Sequence, residues 1–136
     1  MSSSQTLVCL DVGEKRIGVA IADTSVKIAI PFSTVVVDGS EIQSIAEIVL
    51  KEGAHIVVVG YPRNQQGETT AQTRYVEKFT EKLRDLEVTI EFQDESLTSV
   101  LAEQRLIAQK QPYEKGDIDA QAATIILQDY LERHYG

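Results

Sequence analysis

Cysteine is almost absent from this chain. The single one, Cys9, lies inside the first apolar run, so no internal disulfide can form. A thiol in that setting packs as a small hydrophobe. The two histidines, His55 and His134, stand far apart, and with one cysteine they offer no cluster at metal-binding spacing. Zinc sites built on thiolates are therefore excluded, and a cytoplasmic location is expected. Positive charge is also scarce: 13 Lys and Arg face 21 Asp and Glu, for a formal net charge of -8. That balance argues against a protein that coats nucleic acid by non-specific phosphate contact. It leaves room for a nucleic-acid enzyme that gathers carboxylates around metal ions and needs only a local basic rim. Aromatics make up 6% of the chain, and no strand carries an RNP-like aromatic pattern. Sequence-specific stacking of single strands is not expected; Tyr61, in "GYP", is the one exposed candidate. No apolar run approaches the roughly 20 residues that span a bilayer, and the opening "MSSSQT" is polar, so neither membrane insertion nor secretion is expected.

What is present suits one ordinary core. A length of 136 residues with 43% hydrophobic content implies a single domain over residues 1–136. Thr6–Leu10 and Arg16–Ala22 read as two strands joined by "DVGEK", whose Gly13 provides a permissive turn backbone. Ile28–Val37, interrupted by Pro31, offers a third strand. Apolar positions Ile42, Ile45, Ala46, Ile48 and Val49 recur at helical spacing up to a stop at Gly53. Ile56–Val59, bounded by Gly60 and Pro62, reads as a strand buried on both faces, as in a parallel sheet. After the polar loop "RNQQGETT", a helix is predicted over Ala71–Leu86, a strand at "VTIEF", a helix over residues 96–110 with Ser96 or Thr98 as N-cap, and a last helix from Ile118 to His134. This order fits an α/β fold with a mixed sheet covered by helices.

The acids stand at the ends of elements. Asp11 follows the first strand, Asp94 and Glu95 follow the last, and Asp119 opens the last helix. Hard ions such as magnesium are held by carboxylates brought together from distant segments, together with substrate phosphate oxygens. Asp119 precedes Ala122, Ala123, Ile126, Leu127, Tyr130 and Leu131 at helical offsets, so it belongs to the apolar stripe and faces inward. Each acid also has a plain alternative. Asp119 and Asp117 suit the positive end of a helix dipole, Asp11 before Val12-Gly13 suits a turn, and Asp94 or Glu95 suits a cap. Strand alternation puts Asp94 on the side of Val88, Ile90 and Phe92 and Glu95 on the other, without choosing between them.

"LDVGEKRIGVAIAD", "VVVGYPRNQQGE", "DESLTS" and "DIDAQAATIILQDYL", in order over nearly the whole chain, resemble the YqgF/RuvX family of Holliday-junction-resolvase-like and pre-16S rRNA nucleases. The resemblance implies an RNase H-like fold, with a five-stranded mixed sheet and helices on both faces. It also implies a catalytic acid triad, here Asp11, Glu95 and Asp119. Glu95 is preferred over Asp94 because the family's glutamate falls there, and Ser96 stands where the family usually has a basic residue.

On that reading the triad binds magnesium or manganese, and the reaction is phosphodiester hydrolysis with the carboxylates as ligands. Arg16, Arg63, Asn64 and Lys115 are candidates for gripping phosphates, with Lys15 and Lys110 beside them. Arg74, Lys78 and Lys82 form a stripe at spacing four, equally suited to surface pairs with Glu77 and Glu81. The expected partners are nucleic acid, chiefly pre-rRNA with branched DNA as the alternative, and ribosomal particles. The protein is expected as a monomer or homodimer with no membrane association. Processing of the 5′ end of pre-16S rRNA is the leading function; resolution of four-way DNA junctions and a non-catalytic nucleic-acid or ribosome-binding module are the alternatives. "DVGEKRIGVA" also resembles the phosphate-binding hairpin of actin-like ATPases, but those need two such domains to enclose a nucleotide.

Overall fold

The computed structural model describes residues 4–64, 66–95, 104–109 and 114–136. Three strands come first, β1 (Thr6–Val12), β2 (Arg16–Asp23) and β3 (Ile30–Val36). Helix α1 (Glu41–Glu52), strand β4 (Ala54–Pro62), helix α2 (Ala71–Leu83) and strand β5 (Thr89–Glu95) follow, and helix α3 (Lys115–Tyr135) closes the chain. Residues 104–108 are also helical. The rest of the helix predicted over 96–110, with its Ser96 or Thr98 cap and Lys110, lies outside the described residues.

The five strands form one mixed sheet in the order β3-β2-β1-β4-β5. β1, β2 and β3 pair as an antiparallel meander, while β4 and β5 run parallel to β1. Side chains alternate across a strand, so each inner strand feeds two cores. Val8, Leu10 and Val12 of β1, with Val57 and Val59 of β4, pack against Ile45 and Val49 of α1 and Val76, Phe79 and Leu83 of α2. Leu7 and Cys9 of β1, with Ala20 of β2 and Val58 of β4, pack against Ala123, Ile126, Leu127, Tyr130 and Leu131 of α3. Helices thus cover both faces, with α3 alone of the named helices on the second. That face is also fastened by the Tyr130 hydroxyl, which donates to the Glu91 carboxylate of β5.

Several boundaries differ from the pattern-based expectation. β1 continues through Asp11 to Val12 and β5 through Asp94 to Glu95, because both acids have ladder partners, Gly18 and Pro62 in the case of Asp11 and Glu95. The acids therefore sit within strand ends and not after them. α3 starts at Lys115 instead of Ile118, and Asp119 lies in its second turn. The earlier start is supported by a capping box in which the Glu114 N–H donates to Asp117 Oδ2 at 2.9 Å. Thr34 Oγ1 reinforces it by donating to the Gly116 carbonyl at 2.6 Å. α2 gives way at Arg84 to a tighter 3-10 turn that ends at Glu87, whose φ is 57°. Gly53 stops α1 in the left-handed conformation, with φ of 63°. Pro31 is accommodated because β3 is an edge strand.

Leu127 is fully buried under α3 among these second-face residues. Truncating such a side chain removes its transfer free energy and leaves a cavity, at a cost of about 2–5 kcal/mol. Leu127→Ala is expected to lower the urea midpoint accordingly, with an unchanged m-value in equilibrium denaturation.

Candidate active site

Alternation along the strands decides which charged side chains meet. Asp11 follows Leu7 and Cys9 at spacing two, so it projects to the α3 face. Its ladder partner is Gly18, and Arg16 and Ala20 share that face of β2. On the other side of β1, Val58, Gly60 and Pro62 of β4 face α3, and the partner of Pro62 is Glu95. Asp119 arrives from above on α3. Asp11, Arg16, Glu95 and Asp119 thus belong to one layer, at the end of the sheet where β1, β4 and β5 terminate. In sheets of this kind the carboxyl ends of parallel strands are where ligands bind.

Two glycines open the space. A Cβ on Gly18 would collide with the backbone carbonyl of Asp119. A Cβ on Gly60 would collide with Glu95 Oε2 and come within 2.8 Å of Ile126 Cδ1. Gly18 lets α3 approach β2, and Gly60 lets the Glu95 side chain lie across β4. Neither glycine was singled out by the sequence reading for this role. The signal was available: each stands on the same strand face as an acid, within one ladder step or one pleat of it.

The electrostatics follow from this crowding. Burial, and then the Asp119 charge, push the Asp11 carboxyl up to about 6 from an ordinary value of 3.8. Burial, and then the Asp11 charge, push Glu95 up to about 8 from 4.5. The Cys9 thiol is raised well above its ordinary range by burial, and then by Asp11 and Glu95. Asp11 is the middle member, repelled by an acid on either side. Glu95 Oε2 is buried and has no hydrogen-bond partner among the described residues. Asp119 Oδ2 accepts from Arg16 Nε at 2.7 Å, with the two side chains 25% and 35% exposed. Because Asp119 turns to Arg16 and Glu95 lies over Gly60, no three Asp, Glu, His or Cys side chains among the described residues form a ready-made cage for one ion.

The remaining candidates distribute around this layer. Asp94 points to the opposite face, where it is exposed and accepts from Arg63 Nε at 3.0 Å. Arg63 also covers the Tyr61 ring at 4.7 Å, and Tyr61 meets Phe92 edge-on with centroids 5.0 Å apart. Tyr61 is therefore half-buried and partnered, not an open stacking platform. Arg63 and Asn64 form one wall of a cleft of about 520 Å³ that reaches Glu95 and Gln93, with Asp129 and Arg133 of α3 opposite. Asn64 is engaged locally, its side chain donating to Glu68 Oε1 at 3.1 Å. Lys115 is exposed at the start of α3, one turn before Asp119. Arg74 and Lys78 are exposed on α2, whose buried side packs on the other face of the sheet from the acids.

A family model described as "RuvX: Holliday junction resolvase" matches residues 5–133. The chain belongs to the RuvX family. A relative from Chloroflexus aggregans, named "Putative pre-16S rRNA nuclease", is 44% identical over 96% of this chain and 95% of its own length. One of the same name from Synechocystis is 40% identical over 97% of this chain and 90% of its own. Among solved structures, Thermus thermophilus RuvC in complex with a Holliday junction substrate aligns with a TM-score of 0.58 at 14% identity, covering 97% of this chain and 96% of that one. The fowlpox virus resolvase in complex with Holliday junction DNA gives 0.58 at 12%, covering 95% and 98%. At such identities the likeness establishes the fold, which is RNase H-like, with the five-stranded mixed sheet and two-sided helices described above.

Two outcomes follow for this RuvX-family chain. The folded protein keeps the Glu95 proton up to about pH 8, whereas an unfolded chain releases it near 4.5. The folded state therefore binds more protons between those values, and stability falls as pH rises through the window. Melting temperature without divalent ions is expected to fall from about pH 5 to pH 8, and Glu95→Gln to flatten most of that fall; an undiminished slope in the variant would assign it elsewhere. Gly18→Ala, in turn, forces α3 off β2. It is expected to destabilise by about 1–3 kcal/mol, as overpacking does, and to move the Asp119 amide resonance more than that of Leu50.

Proposed function

We propose that this protein is a divalent-metal-dependent endonuclease that hydrolyses phosphodiester bonds, and that its substrate is the 5′ end of pre-16S rRNA. The observation that carries the reading is the layer of three carboxylates, Asp11, Glu95 and Asp119, supplied by three separate elements of the chain at one sheet end. Like charges driven together under burial cost stability unless they have a task or a counter-ion. The names of the relatives supply the substrate: proteins 40–44% identical over nearly the whole chain are named for pre-16S rRNA.

The donor set fits a hard cation. All candidate ligands are carboxylate oxygens, one of them Glu95 Oε2, which has no hydrogen-bond partner among the described residues, and magnesium or manganese is the ion such oxygens select. When bound, the ion supplies Lewis-acid stabilisation of phosphoryl oxygens and activation of water. Asp11, Glu95 and Asp119 are the residues that would hold it. Glu95 must give up its proton to serve, so loading is favoured by rising pH, opposite in sense to the stability of the empty protein. Arg63, Asn64 and Lys115 border the layer and suit contacts to the phosphate backbone on either side of the cut. The work takes place in the cytoplasm, with ribosomal particles as the physical setting of the substrate.

Resolution of four-way DNA junctions is the second reading, favoured by the family description and by the shared fold of two solved resolvases. A binding module without activity is disfavoured by the presence of all three acids. A labelled pre-rRNA fragment and a four-way DNA junction, each incubated with magnesium or manganese, separate these readings. Asp11→Asn, Glu95→Gln and Asp119→Asn are each expected to bring cleavage below detection with circular dichroism unchanged, and Asp94→Asn to remain close to wild type. Wild-type rates in Asp119→Asn at saturating metal would refute the proposal.

A further inference from the structure

We infer that Arg16 is the resident counter-ion of Asp119 in the metal-free protein, and that it exchanges this carboxylate for a phosphate of the nucleic acid once Asp119 takes a divalent cation. The inference rests on the nuclease reading above and adds a role for Arg16 that the reading does not require. The contact is short and direct, Nε to Oδ2 at 2.7 Å. Both backbones are held. Arg16 begins β2 and pairs with Val36 of β3, while the carbonyl of Asp119 lies so close to Gly18 that no Cβ fits between them. Any exchange is therefore a side-chain rotation with no strand or helix displaced. The two side chains are about a third and a quarter exposed, so the pair is half-hydrated and easily traded.

The neighbourhood gives the exchange a direction. Without a cation, Asp119 and Asp11 repel each other at the same sheet end, and Arg16 is the basic side chain paired with that group among the described residues. It holds the Asp119 carboxylate in place. A cation on Asp119 satisfies the same oxygen and repels the guanidinium. The freed fork is planar and matches the paired oxygens of a phosphate, a fit that an ammonium lacks. Cation binding and grip on the phosphodiester backbone then become coupled, and the coupling is reciprocal: each raises the affinity for the other. The cost of holding Asp119 in the empty state is competition with the cation.

Arginine Nε–H correlation spectra of the ¹⁵N-labelled full chain test this directly. The Arg16 signal is assigned by its loss in Arg16→Lys, and its released position is marked by Asp119→Asn. Saturating magnesium is expected to move the wild-type signal toward the Asp119→Asn position. A single-stranded RNA bearing non-hydrolysable phosphorothioate linkages, added with magnesium, is expected to move it again. In a calorimetric titration with magnesium alone, Arg16→Gln is expected to bind roughly fivefold tighter than wild type, the scale set by an exposed ion pair, and to lose most of the mutual enhancement between magnesium and RNA. Suppose magnesium raises the melting temperature of wild type but not of Asp11→Asn, while the Arg16 signal stays in place. Arg16 then remains on Asp119 with the ion bound; the inference is overturned and the metal-nuclease reading stands. Equal or weaker magnesium binding by Arg16→Gln overturns it as well. No effect of magnesium or manganese on wild-type melting or spectra overturns both the inference and the reading beneath it.

Discussion

The backbone of Asp119 rests on Gly18, and most of what is distinctive about this molecule depends on that contact. With any side chain at position 18, its Cβ would overlap the Asp119 carbonyl, and α3 or β2 would have to shift. The close approach aligns the apolar stripe of α3, from Ala123 to Leu131, with the α3-facing residues of β1, β2 and β4. It also fixes the one acid that comes from a helix relative to the two that come from strands. Thr34, one ladder step across the sheet from Gly18, tightens the same junction through the Gly116 carbonyl. The helix is thus seated at its first two turns, and the hydrophobic stripe behind them follows.

That seating sets up an electrostatic conflict which the chain resolves unevenly. Among the described residues, Asp119 has an arginine, Asp11 has no ion-pair partner, and the buried Oε2 of Glu95 finds no donor. The result is that two neighbouring carboxyls are pushed up unequally, Asp11 to about 6 and Glu95 to about 8. Such divergence among neighbouring titratable groups is a mark of functional sites more often than of structural ion pairs. A structural network would have been completed with partners. This one is left open at Glu95.

Much of this was legible in the sequence, for reasons that differ from element to element. The mixed sheet follows from the run Ile56–Val59, which has no polar face, beside the hairpin turn at Gly13, because burial on two faces or one leaves a direct imprint on composition. The three acids proposed as the triad were legible through the family's motifs and, independently, as acids at apolar boundaries. The boundaries themselves were not, since Asp11 and Glu95 are carried into the ladder by partners on neighbouring strands that local pattern cannot show. Strand alternation alone does not separate Asp94 from Glu95; the family's glutamate points to Glu95, and the face that α3 covers puts Glu95 with Asp11. The parts played by Gly18 and Gly60 were hidden for a similar reason: clearance is a property of two segments at once. Arg16 was visible as a candidate, yet its partner lies 103 residues away.

Cys9 packs among the apolar residues under α3. It is the only thiol in the chain, it is fully buried, and the two neighbouring carboxyls hold it further from the thiolate form. Alkylating reagents attack the thiolate, so in the closed molecule Cys9 is silent on two counts, access and ionisation. The cover, and the desolvation that comes with it, are lost when α3 lifts from the sheet, because Cys9 packs on the face that this helix covers. The rate at which a reagent finds Cys9 is therefore a clock for the opening of the face that carries Asp11 and Glu95, and it is written into the native sequence with no label added.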